Sequence, residues 1–300
     1  MDIQHIRYFL AVAEHRSFSK AAQALYVTQP ILTRCVKALE KELGTPLILR
    51  STKSFALTDA GQILVTHGTA LLQQHKDLYR RIEDTVEPQG GEIHISSPGV
   101  LLDMYFPKLV TEYRQLHPGV RITAAESGTK TVVRDVLSGN SDLGLVMLPL
   151  IDEDPLNIYP ILHDEVHVVV HRDHPLAAES IIHIHQLKGL DIITYDQSNT
   201  LFHTFSRMCN EQGFTPSIVF QSMMPGFILD TLSYGSCVGV LPAPMLQRFP
   251  KAELVSIPLL PQFPWEIAMI TRKDRYLSRA TESFLDFCKE HLQRMSVAPL

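Results

Sequence analysis

With 300 residues, 45% hydrophobic and 20% charged, the chain has ordinary globular composition and length for about two domains. No apolar run approaches the roughly 20 residues of a membrane helix, and the chain opens on an amphipathic pattern rather than a signal peptide, so a cytoplasmic protein with no membrane partner is expected. The net charge of −5 divides unevenly: residues 1–58 hold eight Lys/Arg against four acids, net +4, and the remainder 19 bases against 28 acids, net −9, a basic head on an acidic body as in a nucleic-acid binder with a separate regulatory part.

Ile6, Phe9, Leu10 and Ala13 form one apolar stripe over a helix predicted from Ile3 to Glu14. Ser17 is placed to cap a second helix, Phe18 to Leu25, whose small Ala21 and Ala22 permit close approach of a neighbour. Tyr26-Val27 breaks it, and Thr28 stands as cap of a third helix with Pro30 in the first turn, where a missing N–H costs nothing. That helix runs through Ile31, Leu32, Val36, Leu39 and Leu43, stops at Gly44, and shows Gln29, Thr33, Arg34 and Lys37 on its other face. Leu47 to Arg50 and Phe55 to Leu57 read as a two-stranded wing around the charged turn Ser51 to Ser54.

Thr58 caps the next helix, a long one from Asp59 to Val86. In it Leu64, Leu71 and Leu78 recur at seven, with Gly68, His75 and Ile82 four residues after each, approximating a coiled-coil seam. Pro88-Gln89-Gly90-Gly91 marks a hinge. From there strands and helices alternate: strands at Ile93–Ser96, Val120–Ala125, Leu143–Met147, Val166–Val170, Ile192–Thr194, Ile218–Gln221, Val238–Leu241 and Ile267–Thr271, and helices at Leu101–Leu116, Lys130–Leu137, Leu201–Gln212, Phe227–Tyr234 and Ser278–Arg294. Such repeats imply an α/β body with mostly parallel sheets covered on both faces, and Pro149, Pro160 and Pro264 suit crossovers between two lobes. The division expected is a winged helix-turn-helix over 1–58, a linker and dimerisation helix over 59–88, and an effector-binding body over 91–300, with lobe I at about 91–161 and 268–300 and lobe II at about 162–267.

Cys35, Cys209, Cys237 and Cys288 are far apart and form no C-x-x-C pair, so reduced thiols are the default; a redox switch through Cys209 and Cys237 is the alternative kept open. His163, His167 and His171 invite a metal, as do His183 and His185, but strand residues four apart are about 13 Å distant, so no metal site is assigned. There is no G-x-S-x-G elbow, P-loop, H-E-x-x-H or G-x-G-x-x-G, hence no catalytic set, no enzyme and no cofactor.

The head runs Ser17-Phe18-Ser19-Lys20-Ala21-Ala22, Leu25, Val27-Thr28-Gln29-Pro30, Thr33-Arg34, Leu39-Glu40, Leu43-Gly44, Pro46-Leu47, Arg50 and Leu57-Thr58-Asp59-Ala60-Gly61. In register and almost position for position, these residues resemble the signature of LysR-type transcriptional regulators. The likeness continues through Phe106-Pro107, His117-Pro118, Leu137-Ser138-Gly139, Asp142-Leu143-Gly144, His174-Pro175-Leu176, Gly213-Phe214-Thr215-Pro216 and Gly235 to Pro242. It implies a DNA-binding regulator that pairs through its long helix, commonly into tetramers, and a body like periplasmic binding proteins of type 2, two Rossmann-like lobes around an effector cleft.

On double-stranded DNA, a helix in the major groove would set Gln29 at a base edge, Pro30 on a thymine methyl, and Thr33 and Arg34 a turn further on. Lys20, Lys37, Arg50 and Lys53 suit phosphates, and Ser19 and Thr28 complete the expected contact set. Cys35 replaces a longer polar residue common in the family, and Cys237 a frequent glycine. In the body, Ser96, Ser97, Ser127 and Thr129 follow strands and precede helices, where hydroxyls and free N–H groups suit an organic-acid anion. Thr194, Tyr195, Phe202 and Met223 are the walls expected from the other lobe.

Overall fold

The computed structural model describes residues 1–49, 55–86, 90–150, 153–197 and 199–297. They fall into two compact units, Met1–Glu83 and Asp84–Leu300.

In the first unit, α1 (Ile3–His15), α2 (Phe18–Ala24) and α3 (Gln29–Leu43) pack around Phe9, Val12, Ala21, Leu32, Val36 and Leu39, all buried. Local chemistry sets most of the boundaries. Ser17 Oγ accepts from Lys20 N at 3.3 Å at the start of α2, and Gly44, at φ 68°, ends α3 in the left-handed region. β1 (Ile48–Leu49) and β2 (Ala56–Leu57) pair antiparallel as the wing, tied to α3 by Leu47 N donating to Glu40 Oε1 at 2.9 Å. The turn between them lies outside the described residues, and Arg50 and Lys53 with it.

Thr58 caps α4 (Asp59–Val86): its Oγ1 accepts from Gly61 N at 3.0 Å and donates to the Pro46 carbonyl at 2.7 Å. Gly61 must be glycine, because a Cβ there would run into the Leu47 carbonyl oxygen. One helical face further on, a Cβ on Gly68 would stand 3.0 Å from Ile6, and Leu64 packs into the same core. The first rungs of the predicted seam are therefore used within the head, by α1; its later rungs Leu71, Leu78 and Ile82 are exposed, at 40%, 55% and 53%.

The second unit is a curled α/β assembly. β3 (Gly91–Ser97), α5 (Gly99–Leu116), β4 (Val120–Glu126), α6 (Thr129–Ser138) and β5 (Leu143–Met147) give three parallel strands in the order β4-β3-β5. β6 (Leu156–His171) then crosses to a second half containing β7 (Ile182–His183), β8 (Asp191–Thr194), α7 (Thr200–Glu211), β9 (Ser217–Gln221), α8 (Pro225–Ser233), β10 (Val238–Pro242), α9 (Pro244–Arg248) and β11 (Leu254–Leu260). β12 (Pro264–Arg272) returns, and α10 (Arg279–Val297) packs on the first half. β12 lies antiparallel between β5 and the first part of β6; the later part of β6 is flanked by β10 and β11, and β8 and β9 extend the sheet parallel to β10. Each half is thus parallel on one flank and antiparallel at the crossover. The register shifts between Ile267 and Ala268, whose partners are Leu162 and Pro160, so Ile161 is left as a bulge midway along the shared strands.

A buried ion pair locks the first half. Arg275 Nη2 lies 3.0 Å from Asp142 Oδ1, their side chains 2% and 3% exposed. Arg275 Nη1 donates to the Ser141 carbonyl at 2.8 Å, and Asp142 Oδ2 accepts from His94 N at 2.9 Å, joining the loop before α10 to β3 and to the start of β5. Asp84 accepts from the Tyr276 hydroxyl at 2.7 Å and from Arg279 N at 3.1 Å.

Candidate nucleic-acid interface and effector site

The apolar stripe of α3 faces α1 and α2, which leaves its other side to solvent. There Gln29, Pro30, Thr33, Arg34 and Lys37 line one concavity of about 660 Å³. Spacings of three and four residues stack these side chains on a single face. Thr33 Oγ1 donates to the Gln29 carbonyl at 3.0 Å, and Ser19 Oγ, from the first turn of α2, donates to Gln29 Oε1 at 3.0 Å. Lys20 is exposed one residue beyond.

One expectation for this face needs correction. Thr28 holds the cap position of α3 but makes no side-chain cap hydrogen bond: Pro30 has no N–H to offer, and Ile31 N is taken by the Thr28 carbonyl at 3.0 Å. Cys35 is only 9% exposed and burial raises its thiol pKa, so it belongs to the inner side of α3. Tyr26, which the sequence marked only as the break after the second helix, is 96% exposed at the turn between α2 and α3 with φ 54°. A non-glycine residue in that region is uncommon, and the sequence signal was a bulky aromatic where two helices must turn sharply.

In the body, the ends of β3 and β4 lead into α5 and α6, whose cap residues Pro98 and Gly128 make no side-chain cap bond. Helix starts of this kind present first-turn N–H groups and a positive dipole end, features that suit an anion. Ser127 Oγ is buried with no protein hydrogen-bond partner among the described residues, and Thr129, half-buried, opens α6. At α5 a protein carboxylate is already at hand, since a Cβ on Gly99 would lie 2.9 Å from Glu126 Oε2.

The remaining predicted residues divide. Phe202 and Met223 are half-buried and keep part of their surface open. Ser96 is 1% exposed with its Oγ 2.6 Å from Ser141 Oγ, and Ser97, at 0%, donates to the Pro98 carbonyl at 3.0 Å. Thr194 and Tyr195, expected as open walls, are 0% and 1% exposed. The Thr194 hydroxyl donates to the Val240 carbonyl at 3.0 Å and the Tyr195 hydroxyl meets Met245 Sδ at 3.8 Å, so both face the interior of the body rather than an open wall. Sequence reasoning missed Tyr105 on α5, 7% exposed beside Trp265, whose hydroxyl has no protein partner among the described residues and whose pKa is raised by burial.

All four cysteines are buried free thiols. Burial pushes the Cys209 pKa up to about 12 and raises that of Cys237, the reverse of the electropositive, accessible setting of a reactive thiolate. The histidines have individual partners: His163 Nδ1 lies 3.0 Å from Glu266, and His167 Nδ1 lies 3.0 Å from Ser256 Oγ. No group of three or more His, Cys, Asp or Glu among the described residues is placed to hold a metal ion. No described helix is long and apolar enough to cross a membrane.

Two family models match the chain. Residues 3–62 match the family model of the bacterial regulatory helix-turn-helix protein, lysR family, and residues 87–293 match the LysR substrate binding domain. An uncharacterised HTH-type transcriptional regulator of Bacillus subtilis, YwbI, is 33% identical over 97% of this chain and 97% of its own length. The HTH-type transcriptional regulator BenM of Acinetobacter baylyi is 30% identical over 87% of this chain and 86% of its own. Among solved structures, full-length OxyR from Pseudomonas aeruginosa superposes with a TM-score of 0.71 at 21% identity, covering 98% of this chain and 95% of that one. Full-length CbnR in complex with its target DNA gives 0.62 at 20% identity, covering 98% and 99%.

Proposed function

Because the chain belongs to the LysR family of DNA-binding transcriptional regulators, which are not enzymes, we propose that α3 reads an operator while the body answers to a small organic acid held between its two lobes. The observation that carries the reading is the single concave face of Gln29, Pro30, Thr33, Arg34 and Lys37, which joins base-reading amide and hydroxyl groups to two cations on one exposed helix. A helix of this kind fits the major groove, where base edges present distinguishable patterns, and phosphate contacts by lysine fix its register. One head makes few contacts, so tight binding requires two heads on paired half-sites. The exposed rungs Leu71, Leu78 and Ile82 of α4 support pairing with a second copy, and two such pairs make the tetramer.

For the effector, the uncapped start of α6 with Ser127 Oγ and Thr129 supports a carboxylate, bounded across the cleft by Phe202 and Met223. Ligand binding then shifts the lobes about the crossover strands β6 and β12, and the spacing or angle of the paired heads changes with it. The test is footprinting of the full-length protein on a duplex selected from a randomised pool, with and without a carboxylate first shown by thermal shift to bind. A footprint that changes on ligand addition is expected; an identical footprint with the ligand bound refutes the coupling, and failure to select any sequence refutes the recognition face.

A further inference from the structure

The side chain of Gln29 does not stand alone on α3. Ser19, carried by the first turn of α2, donates its hydroxyl proton to Gln29 Oε1 at 3.0 Å, bridging the two helices of the helix-turn-helix ten residues apart in sequence. The turn that carries Ser19 is itself held, because Ser17 Oγ accepts from Lys20 N at 3.3 Å. At the other end Thr33 Oγ1 donates to the Gln29 carbonyl at 3.0 Å. The amide therefore meets the groove from a side chain tethered at its tip.

A primary amide has two ends of opposite polarity, an acceptor oxygen and a donor NH₂. An untethered glutamine uses both on adenine, accepting from N6 and donating to N7. Ser19 occupies one of the two lone-pair sites of Oε1 and fixes the amide plane, while the Nε2 donors take no part in that bond. Guanine offers two acceptors, N7 and O6, in the major groove, whereas adenine sets its N6 donors against the NH₂ end. Resting on the reading of α3 as the recognition helix, we infer that Ser19 is a positioning residue that biases Gln29 toward donating, so that this chain selects guanine over adenine at the base pair facing Gln29. Ser19 thereby acts on sequence preference through another residue's polarity, a role that neither the exposure of Ser19 nor a phosphate contact from it would produce.

The experiment is site selection from randomised duplexes by the full-length protein as wild type, Ser19→Ala, Ser19→Thr and Gln29→Ala. The position facing Gln29 is the one whose preference Gln29→Ala abolishes. There the wild type and Ser19→Thr, which keeps the hydroxyl, favour guanine over adenine by about fivefold or more, and Ser19→Ala swings toward adenine by a similar factor at that position alone. Adenine selected by the wild type, or a preference unchanged in Ser19→Ala, overturns the inference. Should Ser19→Ala fail to fold by circular dichroism, Ser19→Cys, close in size but a weaker donor, takes its place in the same selection: a move toward adenine supports the inference and an unchanged preference overturns it. If Gln29→Ala alters no position while the wild type still selects a sequence, the recognition-helix reading of Gln29 has failed, an outcome distinct from failure of the Ser19 tether and equally fatal to the inference.

Discussion

Replacing Lys37 by alanine separates charge from sequence on the DNA-binding face. Lys37 is exposed at the far end of the concavity from Gln29, where its ammonium suits a backbone phosphate. Each phosphate neutralised contributes about 0.9 to the slope of log affinity against log salt, so losing Lys37 from one head lowers the slope by about 0.9 and from two heads by about 1.8. Between 50 and 200 mM salt, a fourfold change, the wild type should lose about twelvefold more affinity than the paired variant. Gln29→Ala, at the other end of the same face, should leave the slope unchanged and instead narrow the gap between the best and the mismatched site by about 1–3 kcal/mol. Fluorescence anisotropy on labelled duplexes, titrated at several salt concentrations, measures both quantities. A slope unaltered in Lys37→Ala, or lowered equally in Gln29→Ala, would refute this division of labour.

Asp142→Ala should be severe, because it removes the carboxylate 3.0 Å from the Arg275 guanidinium in a site where that side chain is 2% exposed. Breaking a buried pair from one side costs about 3–5 kcal/mol, or about 6–20 °C in the melting temperature of a unit this size, and calorimetry showing a loss under about 1 kcal/mol would contradict the burial argument. Glu126→Gln removes the carboxylate beside Gly99 at the positive end of α5, and should tighten binding of small carboxylate probes by about two- to fivefold in calorimetric titration. Equal affinity in the variant would place the ligand away from that helix end.

The head was legible in sequence because its signals are local. Ser17, Gly44 and Thr58 act on backbone groups within a few residues, and the stripe of α3 follows from helical period alone. Thr28 failed as a side-chain cap for an equally local reason, the missing N–H of Pro30, so the same rule read one step further explains both. What escaped was decided by distant partners. Gly68 fits a seam by spacing, yet its small size serves the approach of Ile6 on α1, a contact that only the folded head reveals. Thr194 and Tyr195 end a strand as cleft residues should, but their hydroxyls face Val240 and Met245, which no count along the chain could show. The first part of β6 and all of β11 were missed because Pro160 and Pro258 interrupt them; both are tolerated where the strand is bulged or short of partners.

The way the two halves of the body are joined bears on how a ligand signal travels. They share β6 and β12 as continuous strands rather than being tethered by a loop, so relative motion must be absorbed by the ladder itself. The weakest point of that ladder is the bulge at Ile161, opposite the step from Ile267 to Ala268, where one residue is already unpaired. On either side the strands are held by regular pairing, and Ile161, Leu162, Ile267 and Ala268 are all buried, which opposes large excursions. On the mechanism proposed above, movement between the lobes is expected as a small rotation about a short segment. A small rotation suffices only if the reader is sensitive to geometry, and the proposed pair of heads on half-sites of fixed spacing would be such a reader, since both must stay in register with the groove. A ligand that favours one lobe arrangement by about 1.4 kcal/mol shifts that equilibrium tenfold, within reach of a few charge-assisted hydrogen bonds at the start of α6.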